Sequence, residues 1–386
     1  MANNVAWPME GLTVVEFGHS VAGPHAGQVL GELGARVIKI EKPEGDDARR
    51  WGPPFLDGAA ATFQALNKNK ESIVANLRDE AVRAVLVDYI VEHADVVLQN
   101  LRPGQMESLG LGPDALLQRK PGLVYCNMGA FGAKGPLCEQ PGYDPLMQAF
   151  GGIMSVVGEA GRPAVRVGPS IIDSGTAMWA VIGILGALLR RSRTGVGGVV
   201  DVSLFETAVG WMTMHAAQYA ASGELPVKAG SGQVGIVPYR AYATTDGELV
   251  VAAGNNELFR RLCEILGHSE WAADPRFIDN PTRVANAGEL YALIEAQMKQ
   301  RSNAEWAAAF VRGGVPCAPV QTVQQMLEHE QTRALDMVQA VPGGSARLVG
   351  LPVSFDGQRP RPRASAPALG MHNEKIFGAA AAHIEE

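Results

Sequence analysis

Thr13 to Phe17 is a short apolar run rich in β-formers. A loop containing Gly and Pro, a helical pattern from about Ala22 to Leu33 and a second apolar run from Arg36 to Glu41 follow it. These segments read as one βαβ unit. The alternation continues with a strand from Ser72 to Leu77, a helix from Glu80 to Glu92, and strands from Asp95 to Gln99 and Leu123 to Asn127. Parallel strands need crossover connections, which lay helices over both faces of the sheet. The expected fold is α/β: a doubly wound, Rossmann-like parallel sheet with ligands near the carboxyl ends of its strands.

The 386 residues exceed one ordinary domain of about 150, so more than one domain is expected. Residues 1–220 read as the large domain. A long apolar helix from Asp173 to about Arg191 ends in RRSRTG, with cations in its last turn and Gly behind them, and a strand from Val199 to Ser203 follows. Residues 221–238, rich in Gly, Pro and Ser, read as a linker. Residues 239–330 read as a smaller α/β domain, with a hairpin around Asp246-Gly247 and helices near Glu257 to Leu266 and Ala287 to Gln300. Residues 331–386 are expected to return to the large domain.

Composition narrows the function. A formal charge of −7, from 33 basic and 40 acidic residues, and the lack of a basic stripe interleaved with aromatics argue against nucleic acid. Cys126, Cys138, Cys263 and Cys317 lie far apart with no CxxC pair, so neither a disulfide framework nor a metal site is expected, and a reducing cytoplasm fits. The N-terminus does not have the form of a signal peptide. The apolar stretch Thr176 to Leu189 is shorter than the roughly 18 residues of a membrane span and reads as a buried core helix, with no membrane association expected.

The loop Gly18 to Pro24 opens the first helix, where free N–H groups attract anions. Glu41, closing the second strand, reads either as a ribose ligand or as a solvated strand end. Asp173, at the head of the apolar helix behind Ile171 and Ile172, reads as an N-cap; a carboxylate held by free amides also stays ionised and can act as a nucleophile or base. His19, His25 and Tyr143 carry no spacing code. Gly230, Gly232 and Gln233 read as a flexible connection or as a lid that closes over a bound substrate.

VVEFGHSVAGP, LGARVIKIEKPEGDDARRW, NKNKESIVANL, ADVVLQNLRPGQMESLGL, GAFGAKGP, PGYD, VGPSIIDSGTAMWAVIGILGALL, RTGVGG with VVDVSLFE, and PYRAYATTDG occur in this order along almost the whole chain. In that order and spacing they resemble the class III CoA-transferase family, which contains formyl-CoA transferase and, as an isomerase branch, α-methylacyl-CoA racemase. The resemblance implies an interlocked homodimer that takes acyl-CoA and carboxylic acid substrates, with coenzyme A thioester as a substrate and no permanently bound cofactor.

It further implies that Asp173 is the nucleophile, forming an acyl anhydride and then an aspartyl-CoA thioester. It places Val21 and Ala22 beside the thioester, Lys42 after the second strand, Ala75 and Arg78 near adenine and phosphate, and Asn100, Leu101 and Arg102 in the Asn-x-x-Pro-Gly segment. Gly129 and Phe131 are carried over as further CoA contacts, and His19, Tyr143, Gly230, Gly232 and Gln233 as substrate or lid positions. The glutamine and lysine of formyl-CoA transferase are Val21 and Gly129 here, which counts against oxalate or formate.

Tyr143 stands where the racemase branch has histidine. An ordinary phenol, titrating near about 10, is a poor base, which favours CoA transfer over epimerisation. A dicarboxylic acid is the expected acceptor, with Arg50 and Arg166 as cations for it. An epimerase and a non-catalytic CoA-binding protein are the alternatives.

Overall fold

The structure, a computed structural model, describes residues 6–378. TVVEF and RVIKIE form β1 (Thr13–Phe17) and β2 (Arg36–Glu41), which β3 (Lys70–Val74), β4 (Val96–Gln99), β5 (Val124–Gly129) and β6 (Gly198–Ser203) complete as one sheet. Its order is β3-β2-β1-β4-β5-β6, and every pair is parallel. Val14 lies opposite both Val37 and Val96; the chain passes from β1 to β2 on one side and from β4 to β5 on the other, so the carboxyl ends of the parallel neighbours β1 and β4 frame a crevice.

β3 begins two residues before the expected strand and ends three before its expected end, because the sheet takes in Glu71 and the buried Lys70, polar positions that sequence patterning leaves outside the strand. The crossovers supply α1 (Ala22–Glu32) and α2 (Glu80–His93), the latter capped by Asp79, which accepts from Ala81 and Val82. Val15, Ile38, Ile73, Val97 and Tyr125 pack with Leu86 and Ile90 of α2 into the core of one sheet face. Further on come α3 (Asp144–Phe150), α4 (Ile171–Thr194) and α5 (Leu204–Trp211).

By length and composition α4 is long and apolar enough to cross a bilayer. It is not the uniformly buried core helix expected from its sequence. Ile172, Ala177, Ala180, Ile184 and Ala187 are buried, whereas Trp179, Ile182 and Leu189 on the other side are 44%, 57% and 57% exposed. Hydropathy is alike on the two faces, so the pattern could not separate them.

The chain folds as two compact units, one of Met1–Ile153, Val167–Met214 and Glu330–Glu386, the other of Met154–Arg166 and His215–His329. The first ends in a segment that runs along β3. The N–H of Ser72 donates to His372 Nδ1, the N–H of Val74 to Asn373 Oδ1, and the N–H groups of Arg363 and Ala364 both donate to Asn69 Oδ1. The open edge of the sheet is thereby covered.

In the second unit β7 (Tyr239–Ala243) and β8 (Glu248–Ala252) form the expected hairpin, and β9 (Cys317–Pro319) pairs antiparallel with β8. Helices α6 (Asn256–Leu266), α7 (Ala287–Met298) and α8 (Asn303–Gly313) cover this small sheet, and Tyr242, Leu249, Phe259, Leu262, Trp306 and Phe310 make its core.

Candidate active site

Four charged side chains are sealed beneath the head of α1. Glu16 of β1, Lys39 of β2 and Lys70 of β3 have wholly buried side chains, and Asp46 nearly so. Lys39 Nζ lies 3.2 Å from Glu16 Oε1 and 3.0 Å from Asp46 Oδ2, and it also donates to Gly18 O. Lys70 Nζ lies 2.8 Å from Glu16 Oε2 and donates to Pro24 O and Asn67 Oδ1. Burial pulls both lysines down. For Lys39 the carboxylates of Glu16, Asp46 and Glu41 outweigh it and hold the ammonium above its ordinary value, whereas Lys70 ends below its own. The packing leaves no room above Glu16: a Cβ on Gly27 of α1 would meet Glu16 Oε2 at 1.8 Å.

This cluster fixes the loop from Gly18 to Val21. Asp46 Oδ1 accepts the N–H of Ser20, a residue held at φ +67°. From the other side Asn100 grips His19 twice: its Oδ1 accepts the His19 N–H at 2.8 Å and its Nδ2 donates to His19 O at 3.0 Å. Gly23 makes the close approach possible, since a Cβ there would sit 2.9 Å from Gly18 Cα and 3.0 Å from Asn100 Oδ1. No side chain caps α1, whose N-cap is Val21. Its first amides are therefore available to a ligand.

Two cavities open on this loop, both within the first unit. One, of about 560 Å³, is lined by His19, Lys42, Ala75, Arg78, Leu101 and Arg102 among others. The second, of about 290 Å³, is lined by His19, Val21, Ala22, Asn100, Leu101, Arg102, Gly129, Tyr143 and Asp173, and also by Trp51, Gln140 and Asp144. His19, Leu101 and Arg102 thus border both. Burial pulls the His19 imidazole below its usual value, so it is neutral near pH 7. Lys42 is paired with Asp47 at 3.0 Å on the exposed rim.

Asp173 is not the N-cap of α4, as its sequence position suggests. Ser170 occupies that position, the helix begins at Ile171, and Asp173 is the third helical residue. The capping carboxylate comes instead from Asp144, at the start of α3. Its Oδ2 accepts the N–H of Ile172 at 2.8 Å and of Asp173 at 3.2 Å, while Oδ1 accepts Gln148 Nε2 at 2.6 Å. Among the described residues no hydrogen bond reaches the Asp173 carboxylate itself. Burial, and then the neighbouring Asp144 charge, push it up to about 7, opposite to the low value expected of a carboxylate held by amides.

Phe131 lines neither cavity; it packs edge-on against Phe150 with ring centroids 5.3 Å apart, and against Phe205. Gly230, Gly232 and Gln233 belong to the second unit, where their N–H groups donate to Gly158 O, Ala229 O and Tyr239 O. Gly230 sits at φ +61°. Arg50 is held by Asp47 and Glu44 O and lines neither cavity, and Arg166 belongs to the second unit. Glu41 borders the larger cavity but is not a solvated strand end. It is buried, receiving both guanidinium arms of Arg49, the N–H of Asp46 and the hydroxyl of Ser72. The buried His25 imidazole is driven down to about 4 by its surroundings, with the Lys70 charge behind burial as the cause.

Trp51, Gln140 and the capping role of Asp144 escaped the sequence reading. A single Trp or Gln in a loop carries no periodic signal. Asp144 stood in view within Gly142-Tyr143-Asp144, but its partner amides lie 28 and 29 positions further on. No group of three or more metal-ligating side chains occurs among the described residues.

Residues 9–373 match the family model described as CoA-transferase family III. The chain is 36% identical over 365 residues to acetyl-CoA:oxalate CoA-transferase of Acetobacter aceti, covering 94% of this chain and 93% of that one. It is 34% identical over 380 residues to succinate–glutarate CoA-transferase of Agrobacterium fabrum, covering 96% and 95%. Among solved structures, a CaiB/BaiF family protein from Brucella suis superposes with a TM-score of 0.87 at 38% identity, over 96% of this chain and 99% of that one.

Proposed function

The chain belongs to CoA-transferase family III and is an acyl-CoA:acid CoA-transferase, and from that premise we propose that it works through a CoA thioester on Asp173 with a dicarboxylic acid as acceptor. The observation that carries the reading is the Asp173 carboxylate, free of helix capping and lining a cavity with the open amide end of α1. The carboxylate attacks the acyl-CoA carbonyl, forming an aspartyl acyl anhydride and releasing CoA thiolate. The thiolate attacks the aspartyl carbonyl, forming the aspartyl-CoA thioester and releasing the acid as its carboxylate. An incoming carboxylate repeats the two steps in reverse, so a new acyl-CoA leaves and the Asp173 carboxylate is restored. No proton is gained or lost; each anhydride lies uphill of the thioesters on either side of it, and the overall exchange runs between CoA thioesters of comparable energy. The N–H groups at the head of α1 are the donors to the developing oxyanion.

The acceptor class rests on relatives whose names carry oxalate and glutarate, both dicarboxylates. Acetyl-CoA and succinyl-CoA offered with glutarate and longer diacids, and with oxalate, which Val21 and Gly129 count against and a relative's name favours, followed by mass spectrometry of the CoA esters, should yield a new dicarboxyl-CoA from at least one diacid. Release of free CoA without any exchange would defeat the proposal.

Tyr143, 60% exposed at the cavity mouth, is the position that separates transfer from epimerisation. A chiral 2-methylacyl-CoA incubated with the enzyme in deuterium oxide should acquire no α-deuterium. Tyr143→Phe should slow transfer by roughly 2- to 13-fold, the effect of one hydrogen bond worth about 0.5–1.5 kcal/mol. Rapid deuterium uptake without acid exchange would place the chain in the isomerase branch.

The exposed apolar side of α4, continued by Val209 and Trp211 on α5 at 51% and 48% exposure, supports a homodimer that covers it. Sedimentation at micromolar concentration should give twice the chain's 40.9 kDa. A monomeric mass would overturn this.

A further inference from the structure

An aspartate in the first turn of a helix normally turns back on its own backbone. Its short carboxylate accepts the free N–H groups there, which is why the residue is favoured at such positions. A nucleophile must do the opposite and point outward. At the head of α4 the two demands fall on different residues. The Asp144 side chain is nearly inaccessible, at 2% exposure, and its carboxylate accepts three N–H groups: those of Ile172 and Asp173 from α4 and the Gln148 amide from its own helix. Gln148 is itself fixed, its Oε1 accepting the N–H of Val167 at 2.8 Å in the strand of chain that leads into α4.

We propose that Asp144 is the positioning residue for Asp173: by accepting the helix-head amides, the N–H of Asp173 included, it leaves the Asp173 carboxylate unbound and turned toward the thioester. The assignment rests on the reading of Asp173 as the nucleophile. It has an electrostatic counterpart. The titratable or charged groups facing the same cavity are His19 from the β1–α1 loop, Arg102 from the segment after β4, and Tyr143 and Asp144 from the start of α3, whereas α5 presents the apolar Leu204. Among these, Asp144 is the charge that acts on Asp173, adding to the effect of burial. A carboxylate of raised basicity is the better nucleophile once ionised, so one side chain governs both the direction and the reactivity of its neighbour.

The test compares full-length Asp144→Asn, which removes the charge, with Asp144→Glu, which keeps the charge but displaces it by a methylene. Active sites are counted by the burst of acid released from acyl-CoA in the absence of acceptor, so that misfolded enzyme does not enter the rate. Both variants should lower kcat per active site by about 10- to 100-fold, the scale expected when a reacting group is misplaced by about 1 Å. The dissociation constant for CoA should stay within about twofold, a change of less than half a kcal/mol. In Asp144→Asn the acidic limb of kcat/KM should also move to lower pH, because loss of the like charge eases ionisation of Asp173; in Asp144→Glu the limb should stay in place. A purely structural role would reduce the burst without moving the limb. Should the Asn variant fail to fold, Asp144→Ser provides a second neutral side chain able to cap. A limb that does not move in the neutral variant, or a rate per site within about twofold of wild type, overturns the assignment. Turnover that survives in Asp173→Ala would instead defeat the nucleophile reading on which it depends.

Discussion

Asp173→Ala should abolish CoA exchange while CoA still binds, because the variant loses the only atom that carries the proposed covalent intermediate and none of the amides at the head of α1. Loss of a covalent nucleophile should cost at least about 10³-fold in kcat. Wild-type enzyme given acyl-CoA and then hydroxylamine should become inactive, with a hydroxamate at Asp173 detectable by peptide mass spectrometry. Turnover in the alanine variant above about a hundredth of wild type would sink the mechanism.

Asp173→Asn adds a thermodynamic check. A carboxyl whose folded pKa is raised to about 7 binds more protons in the folded than in the unfolded state. Its contribution to stability is thus fully present below about pH 4 and lost as the pH rises through about 7. The asparagine variant lacks this loss, so its Tm relative to wild type should climb between pH 4 and 8. A difference that stays flat over this range would show that the carboxyl titrates normally.

The second large effect is structural. Lys39→Met should leave Glu16 and Asp46 buried with Lys70 as the remaining cation of the cluster, a defect that costs about 3–5 kcal/mol in comparable sites. For a unit of this size that corresponds to a fall in Tm of roughly 6–20 °C. Combining it with Asp46→Leu restores equal numbers of buried charges and should recover part of the loss. The double variant still lacks the acceptor for the Ser20 N–H, so its kcat should remain low even where its stability returns. A Tm for Lys39→Met within about 2 °C of wild type would show that the cluster carries little of the fold.

Where a signal was local, the sequence expressed it well. TVVEF and RVIKIE show their strands residue for residue, and the Asp246-Gly247 turn shows its hairpin. The readings that failed depended on partners distant along the chain. Lys70 looks like a loop residue until Glu16 is seen beneath the sheet to receive it. Glu41 looks free until Arg49 closes on it, and Asp173 looks like a cap until Asp144 arrives from α3. Arg50 failed for the reverse reason, its charge being taken up by Asp47 three positions away. The exposed side of α4 was illegible because the same apolar residue types stand on its buried and its exposed face, and only the packing tells them apart.

The edge of β3 has a consequence for how the chain is made. Ser72 and Val74 find their partners at His372 and Asn373, some 300 residues later, so this flank of the sheet stays open while all of the chain between is made. Closing so long a loop is entropically slow, yet each further doubling of its length adds only about 0.6 kcal/mol. The burden is therefore one of time. During that interval a flat row of unpaired amides is exposed to any neighbouring strand, and the nascent chain stays open to mispairing with its siblings until residues 372 and 373 arrive.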